Sequence, residues 1–302
     1  MTKEKKFQLR QSAILLFTAL IWGVAFVAQS VGMDYIGPYT LIGIRFLLGA
    51  LTLLPLVLLQ NKTVHTGPDG KRRTQDGRAM SGAVLVRGGI LCGIALGVAS
   101  VFQQIGIAHT TVGKAGFLTA MYIVIVPVYA FFRGRKTKPL IWLCVAIAIA
   151  GIYFLSMPAG RITLTTGDAM CLASAFVFAV QITLVGHYAN LADGVRLAVL
   201  EFLTSSVIGF VLMLFFEHPQ AGAIWQAAWP LLYLGVLSSG TAYTLQFIGQ
   251  RGLNPTIASL IMSLESPIAL LAGFLFLHQT LTLRELSGCG LMAVAIVLSQ
   301  LL

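Results

Sequence analysis

The chain has 302 residues, of which 57% are hydrophobic and only 10% charged, and its mean hydropathy is +0.88. A soluble surface takes about 25% charged residues, so this composition excludes a soluble globular domain and assigns the chain to a lipid bilayer. The net charge of +10 has to be explained in that setting.

Ten apolar segments follow one another, each of about 17 to 25 residues, the helix length that crosses about 30 Å of hydrocarbon. The first, Ile14–Val31, comes after the basic start MTKEKKFQLR. Its length and the lack of an A-x-A-like cleavage site read as a retained membrane helix rather than a signal peptide. The second, Pro38–Leu59, holds Arg45 and Phe46 and leads into the polar loop NKTVHTGPDGKRRTQDGR. The third, Ala83–Ile107, carries Gly89, Gly93 and Gly97 at four-residue intervals, a small-residue face for close helix approach. The fourth, Val112–Phe132, contains Pro127, and the fifth is Leu140–Ser156. The sixth to tenth are Gly167–Val185, Leu197–Phe216, Ala227–Ile248, Thr256–Leu277 and Leu283–Leu302, with Glu201 in the seventh and Glu265 and Pro267 in the ninth. The cysteines Cys92, Cys144, Cys171 and Cys289 all fall in these segments, where they read as small buried hydrophobes rather than disulfide or metal ligands.

Lysine and arginine stay on the cytoplasmic side during insertion. The start, the even-numbered loops and their flanks collect fifteen of them, against Lys114, Arg161 and Arg284 on the other side. Both termini are thereby expected in the cytoplasm, and the net positive charge follows from topology. Nucleic acid is not an expected partner, because the basic loop has no aromatic residues interleaved to stack bases.

One stretch is written twice. GVASVFQQIG runs from Gly97 to Gly106 and GTAYTLQFIG from Gly240 to Gly249, sharing glycine, alanine, glutamine, isoleucine and glycine in register. Pro127 in the fourth helix matches Pro267 in the ninth, Arg45-Phe46 in the second matches Glu201-Phe202 in the seventh, and Leu-Ser ends the fifth and tenth. Every match steps by five helices, which predicts an all-α integral membrane protein of ten transmembrane helices built as two five-helix repeats, 1–156 and 157–302. Five is odd, so the second repeat is inverted. Two bundles related in that way suit alternating access to a site between them, although duplication kept for packing alone is the other reading.

The stretches IWGVAF, RFLLGAL, GKAGFLTAMYIVIVPV and ASLIMSLESPIALLAGFLFL, in the first, second, fourth and ninth helices, resemble EamA-type members of the drug/metabolite transporter superfamily over nearly the whole chain. The resemblance implies a small-solute carrier, often an exporter, with a central cavity lined mainly by the third, fourth, eighth and ninth helices. Members commonly carry a glutamate after the ninth helix where this chain has Gln279, so the role of that carboxylate is not carried over.

Depth along each helix, at about 1.5 Å per residue, selects candidate solute contacts. Glu265 falls near the midplane, where a carboxylate marks a solute or proton path or is satisfied structurally. Gln103 is placed near the outer end of the third helix and Gln246 near the inner end of the eighth, at opposite mouths, as two gates or as interhelical ties. Trp22, Tyr122 and Tyr243 lie deep enough to stack on an organic solute or to pack. Pro127 and Pro267 kink their helices and either bare backbone acceptors or simply pack. Lys114 either draws an anionic group into a vestibule or is an ordinary interfacial lysine. Arg45 and Glu201 are separated by more than about 10 Å of depth and are read as snorkelling or pairing locally, Arg196 being the nearest cation to Glu201.

No cofactor is expected, and there is neither a phosphate-binding loop nor an H-E-x-x-H or G-x-S-x-G motif that would suggest an enzyme. The expected function is movement of a small organic solute, a metabolite or amino-acid-like or drug-like molecule, outward across the cytoplasmic membrane, with protons as a coupling ion. A channel or a non-transporting assembly subunit is the alternative.

Overall fold

A computed structural model describes residues 3–62, 65–66, 72–73, 81–134, 139–156, 165–278 and 282–299. The basic loop between the second and third helices lies outside the described residues, except for a two-residue antiparallel ladder pairing His65–Thr66 with Arg72–Arg73. Gln279 and Arg161 also lie outside them.

Among the described residues, eight helices are long and apolar enough to span a membrane: Glu4–Met33, Pro38–Leu59, Gly82–Ala108, Val112–Phe132, Thr166–Tyr188, Gly194–Phe216, Ala228–Gln250 and Pro255–Leu277. Two shorter apolar helices, Pro139–Gly151 and Leu286–Leu298, take the fifth and tenth places. Large apolar side chains such as Phe132, Phe215 and Leu214 point outward, because lipid rather than water receives them. Trp225 and Trp229, both 81% exposed, sit at the start of the eighth span as interfacial aromatics do.

The packing repeats with the five-helix step. The third span lies against the sixth and seventh, and the eighth against the first and second; the fourth lies against the sixth, and the ninth against the first. The second span packs on the seventh and the fifth on the tenth, as pairs that straddle a twofold axis must. At the axis Phe46 and Phe202 stack with centroids 6.0 Å apart and planes at 16°.

This symmetry explains the duplicated decapeptide. A Cβ at Gly97 would stand 2.8 Å from Ile208 of the seventh span, and one at Gly240 would stand 3.1 Å from Thr52 of the second. At the other end of the motif, Gly106 abuts Cys171 of the sixth span and Gly249 abuts Leu15 of the first. The glycines are the points where each copy meets its two neighbours, so both copies need them. Gly89 and Gly93 extend the first contact along Leu200 and Thr204.

The copies differ in one respect. The third span is regular α-helix, whereas Tyr233–Tyr243 in the eighth is a π-helix of 11 residues. Donors from the first span take carbonyls there: Trp22 Nε1 donates to Ser238 at 3.2 Å and Thr18 Oγ1 to Ala242 at 3.5 Å, while the Tyr233 hydroxyl reaches back to the Ile21 carbonyl at 3.0 Å. Long π segments are rare and cluster at functional sites; this one lines the cavity described next.

Candidate functional site: a cavity between the two halves

The fourth and ninth spans are each broken in mid-membrane. In the fourth, the helix Val112–Ala120 stops and Tyr122–Phe132 begins after Met121; in the ninth, Pro255–Met262 stops and Glu265–Leu277 begins after Ser263 and Leu264. Each break holds a short three-residue-back bond, Val124 N–H to the Met121 carbonyl at 3.0 Å and Leu264 N–H to the Ile261 carbonyl at 3.2 Å. Both bonds end three residues before the proline, Pro127 or Pro267, whose missing N–H and ring prevent a regular ladder. The prolines themselves are buried and do not line the cavity.

The first residues after the two breaks meet. The Tyr122 hydroxyl donates to a Glu265 carboxylate oxygen at 2.8 Å, and a carboxylate at a helix start faces the positive end of its dipole. These side chains come from different halves and line one cavity.

Trp22 and Tyr243 form an aromatic wall with ring centroids 4.5 Å apart, and Tyr243 also sets its edge against Phe46 and Phe202. Gln103 and Gln246 both line this cavity. Their expected places at opposite mouths came from counting rise along straight, upright helices; crossing and breaking of the spans bring both amides to one space. Gln103 Nε2 lies 3.5 Å from the Thr119 hydroxyl, and Gln246 exchanges a 3.2 Å contact with Gln181. The first, second and sixth spans contribute walls as well as the four spans that the family resemblance implied.

Lys114 does not line the cavity. It forms an ion pair with Asp168, whose carboxylate also accepts from the Thr110 hydroxyl and closes a capping box with Thr165 at the start of the sixth span. Lys114→Met would leave a fully buried carboxylate without its cation, and is expected to lower stability by about 1.5–3 kcal/mol, the worth of a charged hydrogen bond. Thermal unfolding in detergent checks this, and solute binding is expected to survive the substitution.

Arg45 and Glu201 were not selected as site residues, and both belong to the polar network of the cavity. Arg45 does not snorkel: it is 3% exposed and lines the cavity. Its Nη1 donates to Gln29 at 2.8 Å and its Nη2 to Ser100 at 3.0 Å, and the guanidinium lies over the Phe46 ring at 4.5 Å. Glu201 is paired with Gln181 at 2.9 Å rather than with Arg196, and through Gln181 it connects to Gln246. The second and seventh spans therefore carry matched pairs of opposite sign, Arg45–Gln29 and Glu201–Gln181. A shared Phe-x-x-Gln spacing, Phe26 to Gln29 and Phe178 to Gln181, was the signal that could have linked them.

The model of the EamA-like transporter family matches residues 11–157 and again 165–301. A transporter of Archaeoglobus fulgidus, named as uncharacterized, is 26% identical over 95% of this chain and 84% of its own. The threonine/homoserine exporter RhtA of Salmonella typhimurium is 31% identical over 176 residues, 55% of this chain and 56% of its own. The inner membrane transporter YedA of Escherichia coli, also named as uncharacterized, is 26% identical over 93% of this chain and 88% of its own. One solved crystal structure superposes with a TM-score of 0.72 over 96% of both chains at 17% identity, a likeness of fold.

Proposed function

The chain belongs to the EamA-like transporter family, and from that premise we propose that this multi-pass membrane transporter exports a small amino-acid-like solute by alternating access at the cavity between its halves. The observation that carries the reading is the Tyr122–Glu265 bond, made across the two halves at the two mid-membrane helix breaks. Discontinuous helices that meet at the midplane suit a site whose two flanks rock against each other. In this reading the repeats 1–156 and 157–302 are the rocking units, Glu265 exchanges a proton, and Trp22, Tyr243, Gln103 and Gln246 contact the solute.

The resemblance to an exporter named for threonine and homoserine, over about half of this chain, makes L-threonine the first solute to test. The excess of basic residues on one side supports insertion in the cytoplasmic membrane with both termini in the cytoplasm. A carrier rather than an enzyme is the reading that membership of a transporter family favours.

Counterflow tests the proposal. The intact chain in proteoliposomes loaded with unlabelled amino acids is expected to accumulate labelled amino acid transiently from outside. Uptake without trans-stimulation would identify a channel, and no uptake an assembly subunit.

A further inference from the structure

We infer that Arg45 anchors a carboxylate of the transported solute, so that the cavity selects molecules with a carboxylate directed to Arg45 and an ammonium directed to Glu265. The inference rests on the reading that this cavity is the solute site, and it deepens that reading by naming the residue that holds the solute's carboxylate. Arg45 is a buried cation in the middle of an apolar bundle, and among the described residues no carboxylate lies within ion-pair distance of it. Its partners, Gln29, Ser100 and the Phe46 ring, are all neutral. Its Nε–H has no acceptor at all. A buried charge without a counter-charge is costly, and these contacts hold the guanidinium in place without neutralising it. The guanidinium fork matches a carboxylate with two parallel hydrogen bonds.

The scaffold does not impose the charge. The matching place in the second half holds Glu201 against Gln181, so the same packing accepts the opposite sign. Glu265 lines the same cavity and makes its hydrogen bond with Tyr122, leaving its charge free to meet a cation. One guanidinium and one carboxylate, Arg45 and Glu265, in the lining of the same cavity, with Glu201 bonded to Gln181 beside it, oppose a doubly charged phosphate and suit a singly charged carboxylate joined to an ammonium.

The test compares glycine, L-alanine and L-threonine with ethanolamine, L-alaninol and L-threoninol, which keep the ammonium and replace the carboxylate by a hydroxymethyl group. Each is measured by thermal unfolding of the intact purified chain and by competition in counterflow. The acids are expected to bind about 10- to 100-fold more tightly than the alcohols, the range for a charged hydrogen bond. Arg45→Gln is expected to erase that preference, and Arg45→Lys to keep part of it. Equal binding of acids and alcohols, no stabilisation by any of them, or a preference that survives in Arg45→Gln would overturn the anchor. So would stabilisation by chloride alone, which would mark an inorganic-anion site. If Arg45→Gln fails to fold, the comparison on the unaltered chain decides by itself. Preferential binding of the acids without counterflow would leave the anchor standing and remove the transport reading.

Discussion

Replacing Glu265 with glutamine is expected to abolish transport driven by a pH gradient and, by removing the anion set to meet an ammonium, to weaken solute binding without abolishing it, since Arg45 and the aromatic wall remain. Glutamine keeps the volume of the side chain and an oxygen that can accept from the Tyr122 hydroxyl, so the contact across the two helix breaks is retained. What it removes is the exchangeable proton and the negative charge. The other titratable or charged groups on the cavity walls are Tyr122, Tyr243 and Arg45, and neither a tyrosine nor an arginine changes its charge near neutral pH in the unperturbed state. Loss of driven flux with counterflow that is reduced but still measurable at higher solute concentration is the expected pair of results in proteoliposomes. Driven flux equal to that of the unaltered protein would remove Glu265 from the coupling step. Placing a carboxylate beside two broken helices also has a general logic: half-helix ends supply unpaired backbone groups in a setting where few others exist.

The second large effect concerns the scaffold. Gly93→Ala is expected to destabilise the protein by about 1–3 kcal/mol, the range for overpacking a tight interface. The new methyl would lie 2.5 Å from the Thr204 Cβ and 2.7 Å from the Glu201 backbone carbonyl. Neither is the far end of a flexible side chain, so the seventh span itself has to shift. That shift would also disturb Ser205, whose hydroxyl donates to the Gly93 carbonyl at 2.9 Å. Gly222→Ala is the control, because nothing lies within 4 Å of a Cβ there and alanine is favoured over glycine in a helix by about 1 kcal/mol. Opposite signs for the two substitutions in thermal unfolding are the expected outcome. Equal effects would show that the third and seventh spans do not approach as closely as the glycines imply.

Much of the architecture was legible from hydropathy and repetition. The apolar segments agree with the helices to within a few residues in the third, fourth and sixth places, since the bilayer sets helix length and leaves little latitude. The first helix extends back to Lys3, well before its apolar stretch, because a polar sequence can continue an α-helix outside the hydrocarbon. The small-residue face of the third span was correctly read as packing, each glycine meeting a side chain of the seventh.

The sequence alone determined the medium, the number and order of the spans, the odd-numbered duplication, and the presence of an acid at mid-depth in the ninth span, because each is a property of composition or of position along the chain. Only the tertiary structure decided which polar residues share a space. Azimuth, tilt and helix breaks are not encoded in hydropathy, and a buried arginine has the same local sequence whether it faces lipid headgroups, a carboxylate or a cavity. For that reason Lys114 proved to be paired with Asp168, Gln103 and Gln246 converged on one cavity, and Arg45 emerged on its wall. The π-helix of the eighth span belongs to the same class, since its carbonyls meet donors from the first span, more than two hundred residues away in sequence.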